Sequence, residues 1–129
     1  MNVVTSMLAW SVVLGLVLVF LVVLVAVSQR GIGWAVGPRD ENNLPFTGVG
    51  GRLQRALSNF LETFPLFAAV ALAALAMHRT GSQVALGAQL YFWARVAHVP
   101  IYAAGIPWLR TLVWLVSVAG IVMILLALF

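Results

Sequence analysis

Three groups of polar residues interrupt otherwise apolar stretches, and their spacing is helical. Arg55, Asn59 and Glu62 stand at i, i+4 and i+7; at about 100° per residue they share roughly 60° of helix arc, with Arg52 close by. Arg95, His98 and Tyr102 stand at i, i+3 and i+7 and share an arc of the same width. Arg110 and Thr111 open a further apolar run.

An arginine stays charged and holds carboxylates in a fixed fork, and beside a thiol it favours the thiolate without giving up a proton. The chain contains no cysteine, so any thiol chemistry needs a thiol supplied from outside. His98 has no second histidine or cysteine near it, and no metal site is expected.

Glu62 is the only acid on these apolar stretches, against the cations Arg55, Arg95 and Arg110. If Glu62 neutralises Arg95, about two positive charges remain, and an excess of that sign in a low dielectric calls for an anionic ligand. Blander readings stand beside this one. The arginines can snorkel to lipid headgroups, Asn59 can bond another helix, His98 can be a satisfied interior histidine, and Tyr102 can belong to an aromatic belt. What favours a site is that Arg95 lies far from either end of its stretch and shares a face with His98 and Tyr102.

The elements that position these residues must be membrane spans. Of 129 residues, 64% are hydrophobic and only 8% charged, with a mean hydropathy of +1.10; soluble domains carry roughly 25% charged residues. The composition predicts an all-α membrane protein, a single domain over 1–129, built as a four-transmembrane-helix bundle with spans at about 3–27, 52–77, 84–104 and 109–129. Residues 29–51, rich in glycine and polar groups, are expected as a polar loop that acts as a flexible connection. The first apolar run, Val3 to Val27, exceeds a signal-peptide core and lacks a basic lead-in, so it is expected to be retained. Gly105-Ile106-Pro107 should break the third span from the fourth.

Orientation follows from the cations. Arg30, Arg39, Arg52, Arg55 and Arg110 flank loops 1 and 3, whereas Arg79 alone lies at the other side. By the positive-inside rule loops 1 and 3 are cytoplasmic and both termini lie opposite. At 1.5 Å per residue from the far end, Glu62 and His98 sit at roughly 21 to 23 Å, Asn59, Tyr102 and Arg110 at roughly 27 to 29 Å, and Arg95 at roughly 17 Å. Three helices thus present polar groups at a common level. The arginines are too scattered for a phosphate-tracking surface, so no nucleic-acid partner is expected. The aromatics Trp10, Phe92, Trp93, Trp108 and Trp114 read as interfacial anchors with no chemistry.

The run from Gly51 to Pro65, with Arg52, Arg55, Ala56, Asn59 and Glu62 in place, resembles the helix 2 signature Glu-Arg-x-x-Arg-Ala-x-x-Asn-x-x-Glu of the MAPEG family, the membrane-associated proteins of eicosanoid and glutathione metabolism. Ala94 to Tyr102 looks like that family's helix 3, and Arg110-Thr111 matches an Arg-Ser or Arg-Thr pair at the start of its helix 4. Gly51 replaces the family's leading acid, and Ser58 stands where some eicosanoid enzymes carry a further arginine.

The resemblance implies a bacterial-type member in the inner membrane, a homotrimer with glutathione held near the cytoplasmic face between subunits. Its partners would be further copies of itself, the membrane lipids and a hydrophobic small-molecule substrate. Arg55, Asn59, Glu62, Arg95, His98, Tyr102 and Thr111 would bind the tripeptide, joined by Arg30, which stands near the family's helix 1 arginine. Arg110 would stabilise the thiolate. The implied function is a glutathione-dependent transferase or peroxidase acting on hydrophobic electrophiles dissolved in the lipid, with glutathione as co-substrate. The alternative is a non-catalytic lipid-binding or scaffold member. A small multidrug exporter fits the length, but it would need an acid in the first span, which has none, and the positive excess repels cationic drugs.

Overall fold

In a computed structural model, described over residues 1–39 and 45–129, five helices follow one another: α1 Val3–Arg30, α2 Ile32–Val36, α3 Gly48–Ala76, α4 Ser82–Ala104 and α5 Pro107–Ala127. No strand occurs among the described residues. Three of the helices, α1, α3 and α5, are long and apolar enough to cross a membrane. At 23 residues α4 is long enough, about 34 Å at 1.5 Å per residue. Its Gln83, Gln89, Arg95 and His98 lower its hydropathy.

Local chemistry sets the helix ends. Asn2 caps α1 by accepting the Thr5 amide at 2.8 Å. The α1 helix runs to Arg30, beyond the expected span. The Ser28 hydroxyl bonds the Val25 carbonyl at 2.9 Å, and the Gln29 amide pairs in both directions with the backbone of Thr47 at 3.0 and 3.1 Å. That pairing ties the end of α1 to the approach of α3. Helix α3 already begins at Gly48, and its first turn packs against α1: Gly50 lies so close that a Cβ would meet Val25 at 2.6 Å.

The segment 29–51 is therefore not wholly the flexible connection expected of it. It contains α2, and Trp34 and Phe46 meet edge to face at 6.3 Å; residues 40–44 lie outside the described residues. Five residues are too few to leave a periodic signal.

Helix α4 touches α1, α3 and α5, and its contact with α5 is the most extensive in the molecule. Helix α3 also touches α1 and α5, so α3 and α4 form the central pair with α1 and α5 flanking it. The apolar core, Val4, Phe67, Ala71, Ala74, Val84, Ala88, Tyr91, Ile121 and Ile124, fills the end of the bundle nearest the termini. At that end the Arg79 guanidinium donates to the carbonyls of Ala127 and Leu128 at 3.1 and 2.9 Å, which satisfies the last turn of α5.

Small residues let α4 and α5 approach closely. A Cβ on Gly87 would lie 2.7 Å from the Gly120 carbonyl oxygen, and one on Gly120 would lie 2.5 Å from that of Gly87 and 2.9 Å from the Tyr91 nitrogen. The clash is with backbone, so the helices themselves would have to part. Gly120→Ala should therefore destabilise the protein by about 1–3 kcal/mol, read as a lowered Tm in detergent. An unchanged Tm would show that this contact carries no stability.

Candidate functional site

The end of the bundle opposite the core opens into a cleft of about 310 Å³ lined by Asn59, His98, Tyr102, Arg110, Thr111 and Trp114. Each lining residue is placed by helical periodicity. Asn59 projects from α3, His98 and Tyr102 from one face of α4 a turn apart, and Arg110, Thr111 and Trp114 from the start of α5. The volume is at the lower edge of the roughly 300–1,000 Å³ of small-molecule sites.

Arg95 is the anchor of this arrangement although it does not line the cleft. It is 1% exposed, and its Nη2 donates to Asn59 Oδ1 at 2.8 Å. Its Nε and Nη1, and Nε2 of His98, are buried with no hydrogen-bond partner among the described residues. The Arg95 guanidinium carbon sits 5.8 Å from the Phe60 ring centroid. One helical turn away the Tyr91 hydroxyl meets Thr63 Oγ1 at 3.1 Å, and the Tyr91 ring stacks on Phe67 at 4.1 Å, which braces α4 against α3 beneath the arginine.

On the other side of His98, its ring meets Tyr102 edge-on at 5.4 Å, and the Arg110 guanidinium lies 4.8 Å from the centroid of the Tyr102 ring. Asn59, Arg95, His98, Tyr102, Arg110 and Thr111 thus come together from three helices. The partner of Arg95 is the neutral Asn59 and not Glu62, so among the described residues no acid offsets the positive charge that Arg95 and Arg110 bring to the cleft.

The remaining residues singled out in the sequence stand elsewhere. Arg55 and Glu62 are exposed on α3 and do not line the cleft. Arg30 lies in a separate cluster, 4.4 Å from the Trp34 ring centroid and 4.1 Å from that of Phe46, beside a cavity of about 140 Å³ that Arg39 and Gln54 also line. Trp114, which reads from sequence as an interfacial anchor, instead forms a wall of the cleft. Its spacing of i+4 from Arg110 and i+3 from Thr111 is the signal that could have revealed it.

Chemically the cleft offers a fixed cation next to a tyrosine ring at one end. At the other, through Asn59, it offers a buried cation with donors to spare. That combination suits an anionic ligand with more than one charged end and a group at Arg110 whose ionised form needs support. A model of the MAPEG family matches residues 7–129. No curated protein and no solved structure matches the chain.

Proposed function

The chain belongs to the MAPEG family, and from that premise we propose that it is a membrane-embedded glutathione-dependent transferase or peroxidase acting on hydrophobic electrophiles. The observation that carries this reading is the cation excess of the cleft: Arg95 and Arg110 approach it from two helices, and the only acid among the described residues, Glu62, lies outside it. Glutathione is a net anion with two carboxylates and a thiol. Asn59, His98, Tyr102 and Thr111 would hold the peptide, with Arg95 acting through Asn59, and Arg110 would face the sulfur.

In conjugation the thiol proton leaves to solvent, the thiolate attacks the electrophilic carbon, a carbon–sulfur bond forms, and the leaving group departs with its electron pair. In peroxide reduction the thiolate attacks the terminal oxygen, the O–O bond breaks to leave the sulfenic acid, and the departing alkoxide takes a proton from solvent to become an alcohol. A second glutathione then displaces water from the sulfenic acid to give the disulfide, so two thiols are oxidised per peroxide. Trp114, one turn from Arg110 and about 6 Å further along α5, supplies an apolar wall for the electrophile.

The assembly belongs to the same proposal. The four long helices α1, α3, α4 and α5 would all cross the membrane, with loops 1 and 3 on the cytoplasmic side of a bacterial inner membrane. Arg55 and Glu62 are both exposed, and Glu62, at roughly 21 to 23 Å from the far end, lies inside the hydrocarbon layer of about 30 Å, where bare charge costs up to about 3 kcal/mol. Contact with neighbouring copies in a homotrimer would cover them, and Arg55, Glu62 and Arg30 would reach glutathione from there.

The test is calorimetric titration of glutathione into the full chain in lipid nanodiscs, alongside turnover with a panel of lipophilic electrophiles and hydroperoxides. Binding with turnover is expected. Binding without turnover on every substrate would make the protein a non-catalytic member, and absence of binding would remove glutathione altogether.

A further inference from the structure

One polar contact lies outside the cleft yet governs its shape. Helix α4 ends in a Schellman motif: the Ile106 amide donates to the Ile101 carbonyl at 3.3 Å, the Gly105 amide to that of Tyr102 at 3.0 Å, and Gly105 takes the left-handed φ of +76°. The Ile106 carbonyl then accepts the Arg110 amide at 3.1 Å, the first bond of α5. Ile106 therefore belongs to both helices, and the corner it forms sets how Tyr102, in the last turn of α4, meets Arg110, in the first turn of α5.

Arg52 of α3 holds this corner from behind. Its Nη1 donates to the Ala103 carbonyl at 3.2 Å, one that the Schellman bonds leave open. A cation at a helix C-terminus is favoured by the helix dipole as well. The guanidinium lies against Gly105 so closely that a Cβ there would stand 2.9 Å from Arg52 Cζ and 3.2 Å from Nε. Gly105 is thus required twice, for its φ and for the approach of the arginine.

We propose that Arg52 is a positioning residue: by clasping the Ala103–Gly105 end of α4 it fixes the Tyr102–Arg110 pair, and so the place of the cation that faces the bound sulfur. Arg52 does not line the cleft and acts through Tyr102 and Arg110. The proposal rests on the glutathione reading for its chemical consequence and on the corner's geometry for its mechanical one, so the two can fail separately.

The experiment compares the full chain in nanodiscs with Arg52→Ala, Arg52→Lys and Gly105→Ala. Hydrogen exchange at the Gly105 and Ile106 amides reads the clasp with no ligand present. Arg52→Ala is expected to speed that exchange. With glutathione bound, the ultraviolet absorbance of the thiolate should titrate at higher pH, and kcat should fall on the order of 10²-fold, as for a misplacement of about 1 Å, while KM for glutathione changes little. Arg52→Lys keeps one donor for Ala103 and should recover part of both the protection and the rate. Gly105→Ala should reproduce the alanine phenotype, since it displaces the same guanidinium.

Unchanged exchange in Arg52→Ala would overturn the clasp. A loss confined to KM, with the thiolate titration unmoved, would overturn the positioning role by making Arg52 a direct ligand contact. If the parent protein neither binds nor ionises glutathione, the functional reading fails, and the exchange data alone decide whether Arg52 positions the corner.

Discussion

Arg110→Ala is expected to lower kcat for glutathione conjugation by about 10²–10³-fold, the usual effect of deleting a group that stabilises a developing or resting anion, while the protein remains folded. A free thiol ionises near pH 8.5, and bringing it to neutrality takes roughly 2 kcal/mol at about 1.36 kcal/mol per pH unit. A single fixed charge at about 4 Å supplies enough, about 4 kcal/mol at an effective dielectric near 20. The folding cost should be small, because the guanidinium contacts the Tyr102 ring at 4.8 Å, an interaction of about 0.5–1 kcal/mol where solvent reaches it. Arg110→Lys keeps the charge but not the fork, and should retain intermediate activity. The measurement is steady-state conjugation at several pH values with Tm as control; full activity in Arg110→Ala would remove the thiolate role.

The second large effect concerns Arg95, where binding and stability should move in opposite directions. Arg95 is 1% exposed and, among the described residues, has one hydrogen bond, to Asn59, with two further nitrogens lacking partners. A cation held this way in the ligand-free protein is costly, because the desolvation penalty of several kcal/mol for a buried ion is not repaid by one neutral partner. Arg95→Met should accordingly raise the Tm of the ligand-free protein. It should also weaken glutathione binding by roughly 10–150-fold, because Asn59, which lines the cleft, loses the charge-assisted hydrogen bond of about 1.5–3 kcal/mol that orients it. At glutathione near 100 times its Kd the parent protein gains about 2.7 kcal/mol from the ligand, and the variant should lose most of that gain. A lower ligand-free Tm together with unaltered glutathione stabilisation would show that Arg95 serves the fold and not the ligand.

Much of the cleft is legible in the order of residues, because helical periodicity is a local property. Arg95, His98 and Tyr102 must share a face of α4 whatever surrounds it, and Arg110 with Thr111 must stand at the start of α5. Periodicity says nothing of what lies opposite a face. Arg55, Asn59 and Glu62 occupy one stripe of α3, yet Asn59 meets Arg95 while Arg55 and Glu62 are exposed. Trp114 is the converse: a tryptophan near the end of an apolar run reads as an anchor, and only the packing of α4 against α5 turns it into a wall of the cleft. For Arg30 the family resemblance points to a place beside glutathione. The helix continues far enough to lay it on Trp34 and Phe46, and its contact with Phe46, distant in the chain, is one that no spacing rule foresees.

What the sequence alone determined was the solvent and the faces. A chain with 8% charged residues has too little polar surface for water, and fixed rotations per residue assign each polar group to a stripe. What only the tertiary structure decided was pairing: Asn59 for Arg95 in place of Glu62, and Ala103 and Gly105 for Arg52. Those choices depend on how closely and at what depth two helices meet. Here that is governed by close approaches such as the Gly87 backbone on Gly120 and Gly50 on the Val25 side chain, and such non-local distances leave no periodic trace in the order of residues.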